Sequence, residues 1–331
     1  MTSRRVALVV GASRGIGRQI AVDLAKDGYA VVVAAKSTTP EADLAKISPF
    51  PPDPKSPLST ITTVVREITL AGGEATAIPV DTTNYDSIQQ LVTKTIETYN
   101  RLDILIYNAG AIWWAPVATT PMKRFQLMQR VNPEGLYGAV QAALPYLNPA
   151  DEGGRKARER AGGGARIVVV CPPIYSRFFG GKTAYAMGKV GMSVLVKGLA
   201  MDFEREGVVG GVGEGGAEGG VGIGGLWPAV AVESAATEQF TRKDPSYAKD
   251  LRKSTIFSDA VLAMIKAPAS VMNGQLELDE DFLRKQAGVT DFTKYAVVPG
   301  ASPRRIMPAE LPDLTVKEQD DEGMRTDSSK L

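Results

Sequence analysis

Tyr185 and Lys189 stand four residues apart in "TAYAMGKVGM", so on a helix both side chains project from one face. A free tyrosine titrates at about pH 10 and is a poor base at neutrality; a neighbouring ammonium stabilises phenolate and lowers that value. Such a pair can give a proton to a substrate oxygen, or take one from it, while hydride moves to or from a nicotinamide. Taken alone, the spacing equally describes a partly buried tyrosine beside a surface lysine. Composition closes off other chemistries. The chain has no histidine and a single cysteine, Cys171, so Ser-His-Asp and Cys-His nucleophiles cannot be assembled and zinc sites of His and several Cys are excluded. No metal site is expected.

A second group of residues suits a dinucleotide. "GASRGIG" carries Gly11, Gly15 and Gly17 with Ser13, Arg14 and Ile16 between them, directly after the apolar run "VALVV". Glycines there permit a tight turn and close backbone approach, and the helix that follows offers its N-terminal N–H groups to a diphosphate. At the end of the second apolar run, "VVVAAKS", an acidic residue would select NAD; this chain has Lys36. With Arg14 close by, a cation at that point favours the 2′-phosphate of NADP. Asp81 in "PVDTTN" is expected near the adenine, and Asn108 and Gly110 in "YNAGA" beside the cofactor, since each follows a strand at the edge where open α/β sheets bind ligands.

The elements that must hold these groups are legible from periodicity. Short β-branched runs alternate with amphipathic stretches, which predicts βα units around a parallel sheet covered on both faces. Strands are expected at 4–10, 29–35, 75–80, 102–107, 165–171, about 221–226 and 274–278, with helices at 15–27, 58–71, 85–99, 121–147, 183–205 and 256–266. The fold class is α/β, a Rossmann-type doubly wound parallel sheet of about seven strands. One domain, 1–304, is expected, with flexible insertions at 37–57, 151–164 and 207–222. The first is proline-rich and the second charged. Residues 207–225 hold 11 glycines in 19 positions where a central strand is needed; either "VGIGGLW" alone forms it or the segment is partly disordered. The loop after "LWP" and the next helix are expected to form a lid whose "AVAVESAA" suits an apolar ligand.

Formal charge is +1, with 38 Lys+Arg against 37 Asp+Glu, so no basic field points to nucleic acid. Apolar runs are far shorter than the roughly 20 residues of a membrane span, and no apolar leader precedes the first strand. Residues 305–331 read as a loosely ordered polar tail ending in Ser329-Lys330-Leu331, the peroxisomal address, so the import receptor is an expected partner and the peroxisome the expected location.

"GASRGIG", "NAG", Asn132 in "RVNPEG" and "YAMGK" together resemble the short-chain dehydrogenase/reductase family over roughly residues 4–280. The resemblance implies a homo-oligomer and a catalytic Asn-Ser-Tyr-Lys set. It assigns Asn132 to a proton relay through water, Tyr185 to acid/base work, and Lys189 also to the nicotinamide ribose. A narrower likeness, in "CPPIYS", "LWPAVAVESAA" and "MNGQLELDEDFLRKQAGVTDFTKYAVVPG", is to the dehydrogenase part of a peroxisome-associated branch that typically carries a sterol-carrier domain. Where that branch reads Ser-Pro-Pro, this chain has Cys171-Pro172-Pro173, so the catalytic serine position holds a thiol, a weaker donor. Ser176 and Thr183 are possible substitutes. The reading that follows is an NADP(H)-dependent oxidoreductase acting on a small, apolar, lipid-derived carbonyl or alcohol. The alternative is an NADP(H)-binding sensor or scaffold with little turnover, motivated by Cys171 and the glycine-rich segment.

Overall fold

A computed structural model describes residues 4–148, 164–175, 179–209 and 220–312. Seven strands form a single parallel sheet in the order β3-β2-β1-β4-β5-β6-β7: β1 Val6–Val10, β2 Ala30–Ala35, β3 Glu74–Pro79, β4 Ile104–Tyr107, β5 Ala165–Val170, β6 Val221–Trp227 and β7 Leu276–Leu278. Strand order reverses between β1 and β4, whose register pairs Val10 with Tyr107. That switch point opens the crevice in which such sheets bind ligands. All seven strands lie where the apolar runs place them.

The helices cover both faces because the strands are apolar on both sides. One core layer joins the sheet to α1 (Gly15–Lys26), α3 (Ile61–Leu70), α9 (Thr255–Lys266) and α11 (Asp279–Ala287). The other joins it to α4 (Tyr85–Tyr99), α6 (Gly135–Leu147) and α7 (Thr183–Arg205). Period-two alternation sorts β5 between them. Ala165, Ile167, Val169 and Cys171 face the second layer, and Val168 and Val170 the first. The short helices are α2 (Glu41–Leu44), α5 (Met122–Gln129), α8 (Ala235–Lys243) and α10 (Ala269–Met272).

Several expectations need correction. The helix expected over 121–147 is two: α5 and α6 flank a π-helical turn, Arg130–Glu134, that contains Pro133. Proline removes a backbone donor there and widens the turn. The glycine-rich segment, by contrast, follows the first of its two alternatives: "VGIGGLW" is β6, Val221–Trp227, and the bareness of its glycines is a packing requirement. A Cβ on Gly222 would sit 3.2 Å from the Ala269 backbone in α10, and one on Gly225 would lie 2.6 Å from Cys171 Sγ. The tail boundary at 305 is also too early. Arg305 pairs with Asp281 at 2.6 Å and bridges antiparallel to Val230, and Met307 is buried. The insertion at 151–164 falls outside the described residues except for Gly164, as do 210–219 and the tail from 313.

Candidate active site

The glycine turn runs from β1 into α1 and is held shut by contacts that leave no room for side chains. Gly11 adopts φ +88°, and a Cβ on it would lie 2.5 Å from Ala109 N. A Cβ on Gly17 would lie 2.5 Å from Asn108 Nδ2, which donates to Gly11 O at 2.8 Å. Asn108 thus ties the β4 loop to the turn across the switch point. Ser13, Arg14 and Ile16 follow the same turn; the Ser13 carbonyl accepts from Ser59 Oγ at 2.7 Å. Such a bare backbone next to a helix N-terminus is the cradle a dinucleotide diphosphate needs, so these residues fit the expected coenzyme.

The 37–57 insertion was not expected at this site, yet it touches it. Gly15 N donates to Pro54 O at 3.0 Å, and Lys55 pairs with Glu233, just ahead of α8, at 3.5 Å. A cavity of about 220 Å³ between them is lined by Gly15, Gln19, Lys55, Glu233 and Lys253. Proline content marked the segment as irregular; no local signal marked where it docks.

Lys36 and Asp81, assigned separately to ribose phosphate and adenine, are bonded to each other at 2.7 Å. This pairing, with added hydrogen bonds from Thr83, holds the Asp81 carboxyl down at about 2. Arg14 makes no side-chain hydrogen bond or ion pair among the described residues, so it is the uncommitted cation beside the turn.

Tyr185 and Lys189 occupy the first turns of α7 and are both buried. The Lys189 ammonium donates to Val170 O at 2.8 Å and sits 5.6 Å from the centre of the Trp227 ring. A Cβ on Gly110 would lie 3.4 Å from Lys189 Nζ and 3.5 Å from Asn132 Oδ1, so Gly110 keeps this corner open. Asn132 sits in the π-turn with its amide locked on both sides of Ala111. Its Oδ1 accepts from Ala111 N at 2.8 Å, and its Nδ2 donates to Ala111 O at 3.1 Å. Asn108, Gly110, Asn132, Tyr185 and Lys189 are thereby gathered at one end of the sheet.

The electrostatics of the pair correct the expectation drawn from spacing. Burial raises the Tyr185 phenol above its ordinary value, with no lowering contribution from Lys189. Burial also lowers Lys189 to about 8. Without coenzyme, the phenol is therefore protonated at neutral pH and poised as an acid. Among the described residues its hydroxyl makes no hydrogen bond.

Cys171 does not join them. It is fully buried, fits the space Gly225 leaves, and belongs to the core layer beneath the site. Burial pushes its thiol up to about 12, against smaller lowering effects of Ser193 and Lys189, so no thiolate forms at neutral pH. The catalytic assignment of Cys171 is thus replaced by a packing role, and strand alternation in β5 was the signal that could have shown it. Thr183 is half-buried and directs its hydroxyl to Phe179 O at 3.5 Å; Ser176 lies outside the described residues.

What sequence reasoning missed is the wall around the phenol. Trp114 meets Tyr185 at 6.3 Å between ring centres and 77°, and Trp227 lies 6.5 Å away on another side. Phe240 of α8 stacks on Trp114 at 5.8 Å and contacts Tyr247. Of the segment expected as a lid, Phe240 of α8 is the apolar side chain that reaches this wall, through Trp114. Val230 and Val232 are buried in the protein's interior. Among the described residues there is no cluster of potential metal ligands and no helix long and apolar enough to cross a membrane.

Comparison with known proteins agrees with this geometry. The short chain dehydrogenase family model matches residues 5–48 and 56–214. Human hydroxysteroid dehydrogenase-like protein 2 is 34% identical over 294 residues, which is 88% of this chain and 60% of that protein. The chain therefore spans less than two thirds of that relative's length. A solved short chain dehydrogenase from Mycobacterium thermoresistibile is 30% identical with a TM-score of 0.72, covering 92% of this chain and 95% of its own. A 7α-hydroxysteroid dehydrogenase solved with NADH and 7-oxo glycochenodeoxycholic acid shares the fold at 23% identity and a TM-score of 0.59, over 83% of this chain and 94% of that one.

Proposed function

The chain belongs to the short-chain dehydrogenase/reductase family, and on that premise we propose that it is an NADP(H)-dependent reductase of apolar carbonyl compounds. The observation that carries this reading is the buried Tyr185 phenol, protonated and without a hydrogen-bond partner among the described residues, flanked by Trp114 and Trp227, with Phe240 stacked on Trp114 behind it. When bound, the reduced nicotinamide supplies the hydride. Tyr185 delivers the proton to the substrate oxygen, Lys189 holds positive charge behind it, and Asn132 fixes the β4 loop on which Gly110 opens the site. The resting phenol thus carries the proton that carbonyl reduction consumes.

Choice of NADP rests on Arg14 and Lys36. Asp81 is engaged by Lys36, so a 2′-phosphate would meet one uncommitted guanidinium and one ammonium that can exchange its partner. The aromatic enclosure suits lipid-derived substrates with a flat or alicyclic apolar body. Peroxisomal delivery through Ser329-Lys330-Leu331 and assembly as a homo-oligomer remain part of the proposal. A fluorescent fusion that leaves those three residues at the C-terminus should follow a peroxisomal marker, and one lacking them should not.

The enzymatic reading is tested by NADPH oxidation with α-tetralone, cyclohexanone, 2-decanone and 9,10-phenanthrenequinone. Turnover of at least one, with NADPH preferred to NADH, is the expected result. NADPH binding without turnover of any would favour the sensor or scaffold reading instead.

A further inference from the structure

The 37–57 insertion and the residues that close it are tied to the glycine turn at two points. Ser59 Oγ donates to Ser13 O at 2.7 Å, and Gly15 N donates to Pro54 O at 3.0 Å. The second bond withdraws a donor from the coenzyme end. Gly15 is the first residue of α1, so its N–H is one of the few that the helix N-terminus can turn toward a diphosphate, and Pro54 takes it. The next residue brings a cation to the same place.

Asp53 Oδ1 accepts from Lys55 N at 2.7 Å, which fixes the chain around Pro54. The Lys55 side chain lines the cavity of about 220 Å³ that Gly15 also lines, so an anion held at the turn lies within its reach. The segment ahead of α8 completes the site. A Cβ on Gly15 would lie 3.9 Å from Ser234 Cβ, and Glu233 beside it lines the same cavity. Lys55 Nζ and Glu233 Oε2 are 3.5 Å apart, with side chains 35% and 28% exposed, whereas Lys36 and Asp81 are 2.7 Å apart. A long, solvent-reached ion pair contributes little, and its members exchange partners readily. Lys253 lines the cavity too, but its ammonium donates to Lys294 O at 3.2 Å. Residues 49–55 fall between the two stretches that match the family model, so membership of the family assigns Lys55 no role.

We propose that Lys55 is a coenzyme-binding residue: its ammonium leaves Glu233 for an oxygen of the coenzyme's diphosphate, so that the insertion supplies the cation where it has taken an N–H. Glu233 is the resting partner, presenting to Lys55 the anionic oxygen that a phosphate later presents. The inference rests on the coenzyme reading above and is independent of the choice between NADP and NAD.

The test measures binding with no substrate present, by fluorescence titration of NADPH and NADH and by calorimetry with 2′-AMP, which carries the adenosine and the 2′-phosphate but no diphosphate. Lys55→Met should weaken NADPH and NADH alike by about tenfold, the scale of one charge-assisted contact, with 2′-AMP affinity and Tm near wild type. Lys55→Arg, which keeps the charge, should recover most of the loss. Glu233→Gln frees the ammonium and should tighten both coenzymes severalfold. Lys253→Met removes an equal charge from the same cavity and should change neither coenzyme by more than twofold. Coenzyme affinities within twofold of wild type in Lys55→Met, a matching loss of 2′-AMP, or an equal loss in Lys253→Met would overturn the inference and leave the coenzyme reading standing. A wild-type protein that binds neither coenzyme would sink both. Should Lys55→Met fail to fold, Glu233→Gln still decides, since affinities unmoved by it contradict the exchange.

Discussion

The two ends of the crevice are built in different ways. On the β1–β4 side, the coenzyme end, contact surfaces are backbone. Gly11 and Gly17 are pressed against Ala109 and Asn108, and any side chain added there meets main chain or amide within 2.5 Å. On the β5–β7 side, the substrate end, glycines admit neighbours instead. Gly222 and Gly225 let α10 and Cys171 approach the sheet, and the site is walled by large rings from Trp114, Tyr185, Trp227 and Phe240. The first end is shaped by what is absent from short contiguous segments, the second by what converges from distant ones. Recognition of a diphosphate needs unobstructed N–H groups, whereas recognition of an apolar substrate needs surface to bury.

Breaking the substrate end at its centre should have the largest effect. Tyr185→Phe removes the proton donor and leaves the ring packing, so turnover should fall by about 10²–10⁴-fold while the Kd for NADPH stays within twofold. An equal loss of coenzyme binding would show that the two ends are not separable. The next effect belongs to the coenzyme end. Lys36→Ala should weaken NADPH by about tenfold with little change for NADH, the scale of one charge-assisted contact of about 1.5 kcal/mol. Asp81→Asn releases Lys36 from its partner and should tighten NADPH severalfold. Fluorescence titration at low salt measures both, and equal changes for the two coenzymes would refute the assigned role of the cation.

A smaller and purely structural effect concerns the base of the lid. Asp279 is buried, receives the N–H groups of Ala229 and Glu280 on one oxygen, and among the described residues leaves the other without a partner. Burial raises its carboxyl from 3.8 to about 7. Between those values the folded protein holds a proton that the unfolded chain has released. The stability this group contributes is therefore fully present below pH 3.8, falls as pH rises, and is gone above 7. Asp279→Asn copies the protonated form, so its Tm advantage over wild type should widen from pH 4 to 7, reach a few degrees, and then stay constant. A gap independent of pH would contradict the placement of that carboxyl. Cys171→Ser should do least. The hydroxyl would occupy the same core niche beside Gly225 and Ser193, and kcat should stay within twofold; a tenfold gain would return residue 171 to the active site.

The same contrast explains what was legible in the sequence. Strand positions followed from contiguous β-branched runs, and the glycine turn, Asn108, Tyr185 and Lys189 from fixed local spacings. The aromatic wall was invisible because no spacing links 114, 185, 227 and 240; only the chain's path brings them together. Docking of Pro54 onto Gly15 escaped for the same reason. Lys36 and Asp81 were each identified, but their mutual bond is a cross-strand fact from β2 and β3. The acidity of Tyr185 was misjudged because four-residue spacing gives proximity along a helix and says nothing about burial, which raises the phenol here. Cys171 was assigned through its likeness to Ser-Pro-Pro, when the alternation of Ala165, Ile167 and Val169 already turned it toward the core.

The central claim is that Tyr185 protonates a carbonyl oxygen while its carbon receives hydride from the coenzyme. A single turnover with NADPH deuterated at C4 on the transferred face tests it most directly. The account predicts one deuterium on the carbinol carbon of the alcohol formed by the wild-type protein, and no labelled alcohol from Tyr185→Phe on the same timescale. Alcohol formed without deuterium at that carbon, or formed equally fast by the phenylalanine variant, would contradict it.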